Sequence, residues 1–358
     1  MRQEGAEPDG PRVIVRIPEE PVESVVEADA LDAALRHHVL ALRGPLFGVA
    51  AQSKPGGRQW RAVIEVARGC PQEARDGLNS LLWFRAKDEC RNAADRRELL
   101  AAVTRLETEC VNEVTVLGTR YRVVRAEEYA YVDAQGNIEP PRPSDPEPPV
   151  PDWSTRAGAP RVDDGLVLDP DEPLFPAQMV ERLSLRGLAY SGSRFPDDVL
   201  HDSEQAVQSH PDVLLMPAAF RIVQRSGEGH WTLGSQLHAT AHHARRTLDF
   251  SLTWLEPRER GLIPLESATE ADARTVTADS ASPSAADLAL YVQAADRLRA
   301  ESLDEIRVHG TTYRIARIRR LLRWGIDGPE GPRPSDASGH APQAMHPRLD
   351  EDGKVQPD

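Results

Sequence analysis

The sequence predicts an α+β fold made by tandem duplication of a two-layer module, an antiparallel sheet with helices on one face, the two copies related by a pseudo-twofold. Three observations carry this. Arg105–Arg125 and Arg297–Arg317 match without a gap at ten of twenty-one positions, where composition alone supplies about one or two. The pentapeptide Pro-Arg-Pro-Ser-Asp recurs unchanged after each copy, at Pro141–Asp145 and Pro332–Asp336. The same order of apolar periodicities precedes both. The expected organisation is a first module over 12–148, a Pro/Asp-rich linker over 149–174, a second module over 175–336 and a disordered tail over 337–358. Eleven of the 30 prolines lie between Pro140 and Pro176, a composition suited to a linker.

In chain order, Val13–Ile17 alternates weakly and reads as a first strand, with Leu183–Tyr190 as a looser equivalent. Helical stretches follow at Val25–Leu35 and Val199–Gln208, where Asp29/Asp202, Ala33/Ala206 and His37/His210 align. Next come paired short strands, Phe47–Gln52 with Gln59–Val66 and Phe220–Gln224 with His230–Leu237. They are joined by polar, Gly-bearing connections at Ser53–Arg58 and Arg225–Gly229. Pro71 suits a first helical position. Behind it Ala74, Leu78, Leu81 and Leu82 form an apolar stripe that Ala244, Leu248, Leu252 and Leu255 repeat. A further helix carries Leu99, Leu100, Val103 and Leu106. Its counterpart, after a capping-box-like Ser284 and Asp287, carries Leu288, Val292, Ala295 and Leu298. Gly118-Thr119 and Gly310-Thr311 then fit two-residue hairpin turns. That register sets Val116 opposite Tyr121 and Val308 opposite Tyr313, all on the buried face.

The net charge of −14 argues against nucleic-acid binding through phosphate neutralisation and against an anionic membrane surface. No apolar run reaches the roughly 20 residues that span a bilayer, and Met1–Gly10 carries no secretion signal. Cys70, Cys90 and Cys110 fit neither a zinc pattern nor a disulfide framework. A cytoplasmic protein is expected.

Arg125 and Arg317 continue the apolar face and so need anionic partners. Glu109 and Glu301, on the preceding helix, are the expected ones. Glu113 with Arg122, and Glu305 with Arg314, read as exposed cross-strand ion pairs. Trp60 and Trp231 stand at matched places and suit a core or a pocket floor, while His37 and His210 suit helix ends. With Tyr121 and Tyr313, the residues Arg125, Arg317, Glu109, Glu301, Trp60, Trp231, His37 and His210 form the candidate ligand- or partner-binding set. His238, His242 and His243 lack the spacing of a zinc-protease motif, and no metal or cofactor is expected. The run Arg314, Arg317, Arg319, Arg320, Arg323 with Trp324 has a first-copy equivalent that continues into Glu127 and Glu128, which weakens a shared basic groove. Each Pro-Arg-Pro-Ser-Asp segment reads as an extended strap and turn over its module's edge.

The strings Phe47–Ala50, Leu82–Glu89, Gly118–Arg125 and Pro141–Asp145 resemble those of an uncharacterised actinobacterial family known only as a domain of unknown function. The resemblance implies no catalytic or binding residues. With no complete catalytic constellation, the expected function is that of a non-catalytic binding or interaction protein built as an intramolecular pseudo-dimer. The alternative is a small-molecule enzyme or ligand sensor with a pocket at the module junction. Partners are expected to be a protein or a small anionic ligand, with the chain a monomer or homodimer.

Overall fold

The first half opens with a helix, α1 (Pro21–Arg36), led by a proline in its first turn and stopped at His37, whose N–H caps Ala33 O at 2.8 Å. A computed structural model describes residues 14–53, 58–154, 158–277, 284–350 and 352–356. Val13 and the core of the expected Ser53–Arg58 connection lie outside them. Val15 makes a parallel bridge to Leu174 rather than starting a strand. Leu183–Tyr190 is no strand either, because the helix α4 (Pro176–Leu185) runs into it.

From α1 the chain passes into β1 (Val39–Gln52) and β2 (Trp60–Arg68). The helix α2 (Pro71–Phe84) leads through a π turn at Arg85–Glu89 to α3 (Ala93–Thr108). The hairpin β3 (Glu113–Val116) and β4 (Thr119–Val132) completes the half. A two-residue strand, β5 (Val167–Leu168), lies in the linker. The second half follows α4 with α5 (Asp197–Ser209), β6 (Asp212–Leu215), β7 (Ala219–Ser226) and β8 (Thr232–Leu233). Then come α6 (Ala241–Phe250), a π turn at Ser251–Leu255, and the short helices α7 (Glu256–Glu259) and α8 (Ala273–Thr277). It closes with α9 (Ala285–Glu301), β9 (Glu305–Val308), β10 (Thr311–Gly325) and β11 (Gly328–Pro329).

All strands join one eleven-stranded antiparallel sheet whose main path runs β5-β2-β1-β4-β10-β7-β8. The fold is thus α+β, but the two halves share a sheet across the β4–β10 pairing. Helices do pack on one face of each half. Phe47, Val49, Tyr121 and Val123 meet α2 and α3 in one core, and Phe220, Ile222, Tyr313 and Ile315 meet α6 and α9 in another. The opposite face is not wet. Leu46, Ala50, Trp60, Val124 and Ala126 close against Ala316, Ile318, Leu322 and Trp324 in a third core, common to both halves.

Three local readings change. The hairpin turns are Leu117-Gly118 (φ 50° and 69°) and His309-Gly310 (φ 48° and 79°), so that Val116 pairs with Thr119 and Val114 with Tyr121. Positive φ at both turn residues is the type I′ form, whose backbone twist matches the right-handed twist of the strands. The slip preserves the buried face, because side-chain direction has period two. Leu255 falls in a π turn, whose extra residue rotates it off the stripe to 39% exposure. The segment His230–Leu237 yields only the two residues of β8, because Gly234 N–H bonds Ile222 O and the chain turns away.

Linker and tail are not loose. Asp163 in the linker is 4% exposed and takes the guanidinium of fully buried Arg320 at 2.7 Å and the N–H of Val66 at 2.8 Å. After Asp336 the chain, expected to be disordered, lies on the first half's helices. There His346 stacks on Trp83 at 4.6 Å, Pro347 O accepts the Trp83 indole N–H at 3.0 Å and Leu349 joins the first core.

Candidate functional site

The repeated pentapeptides are straps, each tied to its own half and gripped by the other. In Arg142–Asp145 the Asp145 N–H closes a β-turn on Arg142 O at 3.0 Å, with Pro143 in the position where its fixed φ is useful. Asp145 in turn accepts the Arg142 N–H at 2.8 Å. Arg333–Asp336 repeats both bonds, at 3.0 and 2.7 Å. Ser144 N–H reaches Asp29 of α1 and Ser335 N–H reaches Asp202 of α5, at 2.9 and 2.8 Å. The cross-grip is reciprocal. Arg125 Nε donates to both oxygens of Asp336 at 3.2 and 2.9 Å, and Arg317 Nε to both oxygens of Asp145 at 3.1 and 2.9 Å.

This arrangement corrects the expected ion pairing. Arg125 is 2% exposed and also pairs with buried Glu127. Burial opposes its charge, but Glu127 and Asp336 outweigh that and hold the guanidinium protonated. Glu109 and Glu301 instead make exposed helix pairs with Arg105 and Arg297, at 3.1 and 3.4 Å. Neither glutamate pairs with a strap, since each lies at or just past its helix's C-terminus with its side chain in solvent. Arg122 is not exposed either. It lies 5.2 Å from the Trp60 ring centre, bonded to Glu113 and to Pro329 O, and Arg314 covers Trp231 at 5.1 Å.

The remaining candidates are structural neighbours of these groups. Trp60 belongs to the shared core, and Trp231 is half-buried at its edge. Tyr121 lies in the first core and Tyr313 in the second. His210 ends α5 and packs against Gly325, and burial pushes its pKa down. His238 and His243 meet edge to face at 4.7 Å, burial takes His238 down to about 3, and His242 turns to Asp152 O at 3.0 Å. Among the described residues no group of three or more His, Cys, Asp or Glu is placed to hold a metal. The basic run points inward: Arg319 meets Glu139 and Glu181, Arg320 meets Asp163, and Arg323 donates to the carbonyls of Arg186, Leu188 and His210.

His37, of the candidate set, borders a recess between two helices. This cleft of about 390 Å³ lies between α1 and α4. Ala30, Leu31 and Ala34 form one wall and Val180 the other; Tyr131, Arg142 and Arg319 make the floor, and His37 and His38 the end. The walls are apolar on the surface, with Leu31 54% and Val180 68% exposed. Glu27 fixes the helix pair by accepting the Ala177 N–H at 2.7 Å, at the positive start of α4. The floor is polar. Arg319 spans Glu181 and Glu139 at 2.7 Å each, Arg142 Nε takes the other Glu139 oxygen at 2.7 Å, and Tyr129 OH donates to Glu181 at 2.8 Å. Burial opposes the Arg319 charge, but Glu181 and Glu139 outweigh it. Burial and Glu181 raise the Tyr131 phenol to about 12, so it stays a hydrogen-bond donor at neutral pH.

Sequence reasoning missed Arg142, Arg319, Tyr131 and Glu181. The first two carried a signal, since one lies in the repeated strap and the other in the basic run. Glu181 carried none, because it lies in none of the matched strings.

Among the described residues no helix is long and apolar enough to cross a membrane. No curated protein and no solved structure matches the chain. Residues 20–339 match a family of unknown function, DUF5954, and the chain belongs to that family.

Proposed function

We propose that this chain is a non-catalytic, cytoplasmic binding protein built as an intramolecular pseudo-dimer, and that it binds a small ligand in the cleft between α1 and α4. The cleft is the observation that carries the reading. It joins an apolar cage to a few convergent polar groups, the usual make-up of a small-molecule site. It also draws on both halves, since Tyr131 and Arg142 come from the first, and Arg319 and α4 from beyond the linker.

The register at the junction supports the pseudo-dimer. Under the alignment that matches Arg125 to Arg317, Glu128 matches Arg320, and these two residues stand opposite each other. The pair Tyr129 and Arg319 becomes Leu321 and Glu127, which is itself a pair. The exchanged straps follow the same rule, as expected of a fused dimer with one self-complementary interface. Free thiols at Cys70, Cys90 and Cys110 favour a reducing compartment.

The test is titration of the full chain with N-phenyl-1-naphthylamine, a neutral dye that fluoresces in apolar surroundings, beside the variant Ala34→Phe. Ala34 is exposed on α1 and lines the cleft, so phenylalanine fills the space without disturbing a core. Saturable binding of one dye per chain that the variant weakens severalfold is expected. Binding indifferent to Ala34→Phe would overturn the reading.

A further inference from the structure

The chemistry of the cleft's ligand is written in the other half, where the chain fills the matching position with its own side chain. Tyr190 runs in ahead of α5, its N–H donating to Ser203 Oγ at 2.8 Å. Its hydroxyl donates to Glu127 and accepts from Arg125 Nη2 at 3.3 Å. The guanidinium carbons of Arg125 and Arg333 stand 5.9 and 5.8 Å from the ring centre, and Phe195 stacks on it at 4.6 Å.

The internal alignment turns three of these neighbours into residues of the cleft. Ser203 becomes Ala30, Arg333 becomes Arg142 and Glu127 becomes Arg319, and all three counterparts line it. Tyr190 itself becomes Ile17, which is 73% exposed and is not among the residues that line the cleft. The polarity is inverted as well. In the second half Arg333 bonds Glu330 and lies 3.2 Å from the Glu127 carboxylate. In the first half Arg142 has Glu139 through Nε, and among the described residues nothing bonds its terminal nitrogens, because a cation, Arg319, stands where Glu127 would. Burial and the nearby Arg317 both bear against the Arg142 charge. A phenol donor therefore meets a cation where Tyr190 meets the Glu127 carboxylate. A carboxylate finds two guanidinium groups, whose planar donors suit it.

We infer that the cleft takes a small aromatic carboxylate, its ring held between Ala30, Leu31, Ala34 and Val180 and its carboxylate at Arg142 and Arg319. This rests on the binding-cleft reading above. It makes Tyr190 a built-in occupant of the second site and leaves one open site per chain.

The experiment is calorimetric titration of the full chain with 4-methylbenzoate, p-cresol (the Tyr190 side chain itself) and hexanoate. We expect 4-methylbenzoate to bind one per chain, at least about tenfold more tightly than either of the others, the discrimination that a charge-assisted pair and a ring-sized apolar cage supply. Ala34→Phe should weaken 4-methylbenzoate by a similar factor, and Arg142→Gln should erase its advantage over p-cresol. Equal affinity for p-cresol or hexanoate, or indifference to Ala34→Phe, would overturn the inference. If the dye occupies the cleft while 4-methylbenzoate fails to bind, only the ligand class is wrong. If the dye too ignores Ala34→Phe, the cleft reading falls with it.

Discussion

At the scale of single residues, arginine dominates, and burial decides what each arginine is worth. Arg125 sits between Glu127 and Asp336 at 2% exposure. Removing its charge leaves Asp336 without a cation and Glu127 with Arg333 alone, which costs about 3 kcal/mol. Arg122 is covered by Trp60 yet retains an edge to solvent, with a side chain 11% exposed. Its loss should cost about 1 kcal/mol. Urea unfolding should therefore place Arg125→Met well below Arg122→Met in stability, and equal midpoints would contradict the buried clamp. That Arg125 needs an anion was legible from its place on an apolar strand face. Which anion was not, because Asp336 lies more than two hundred residues away and is delivered by the strap of the other half.

At the scale of elements, alternation and turn chemistry carried most of the information. The hairpin faces were legible because Val114 and Val116 alternate along one strand and Tyr121 and Val123 along the other, which puts all four on one face. The turn was misplaced by one residue because leucine and histidine seldom accept positive φ. His309 does so at φ 48°, ahead of Gly310 at 79°. Asparagine adopts this conformation more readily, so His309→Asn should stabilise the chain by about 0.5–1 kcal/mol. A thermal melt checks this, and a lowered midpoint would argue against the turn assignment. The π turns after α2 and α6 escaped notice for a related reason. A helical stripe is read with a constant period, and one inserted residue per turn leaves the composition unchanged while rotating every later side chain about the helix axis.

At the scale of the whole molecule, the halves are joined by a continuous sheet, a shared core and exchanged straps, so the linker's covalent continuity should be dispensable. A protease site inserted after exposed Gly158 should yield, on cleavage, two fragments that still elute together at the size of the intact chain. Separate elution would contradict the interlocked halves. The pinning of Asp163 by Arg320 makes the linker part of the interior, although its proline and aspartate content reads as that of a spacer.

By itself the sequence determined the α+β class, the order of the principal helices and strands, the buried face of each hairpin and the importance of the repeated Pro-Arg-Pro-Ser-Asp segments. These follow from local periodicity and backbone preference, which neighbouring residues carry between them. Only the tertiary structure decided which half each strap grips, that both sheet faces are covered, and that α1 and α4 enclose a cleft over Arg142 and Arg319. Such features depend on groups far apart in the chain meeting in space. Desolvation then selects among many carboxylates of equal formal charge, and no local pattern records that choice.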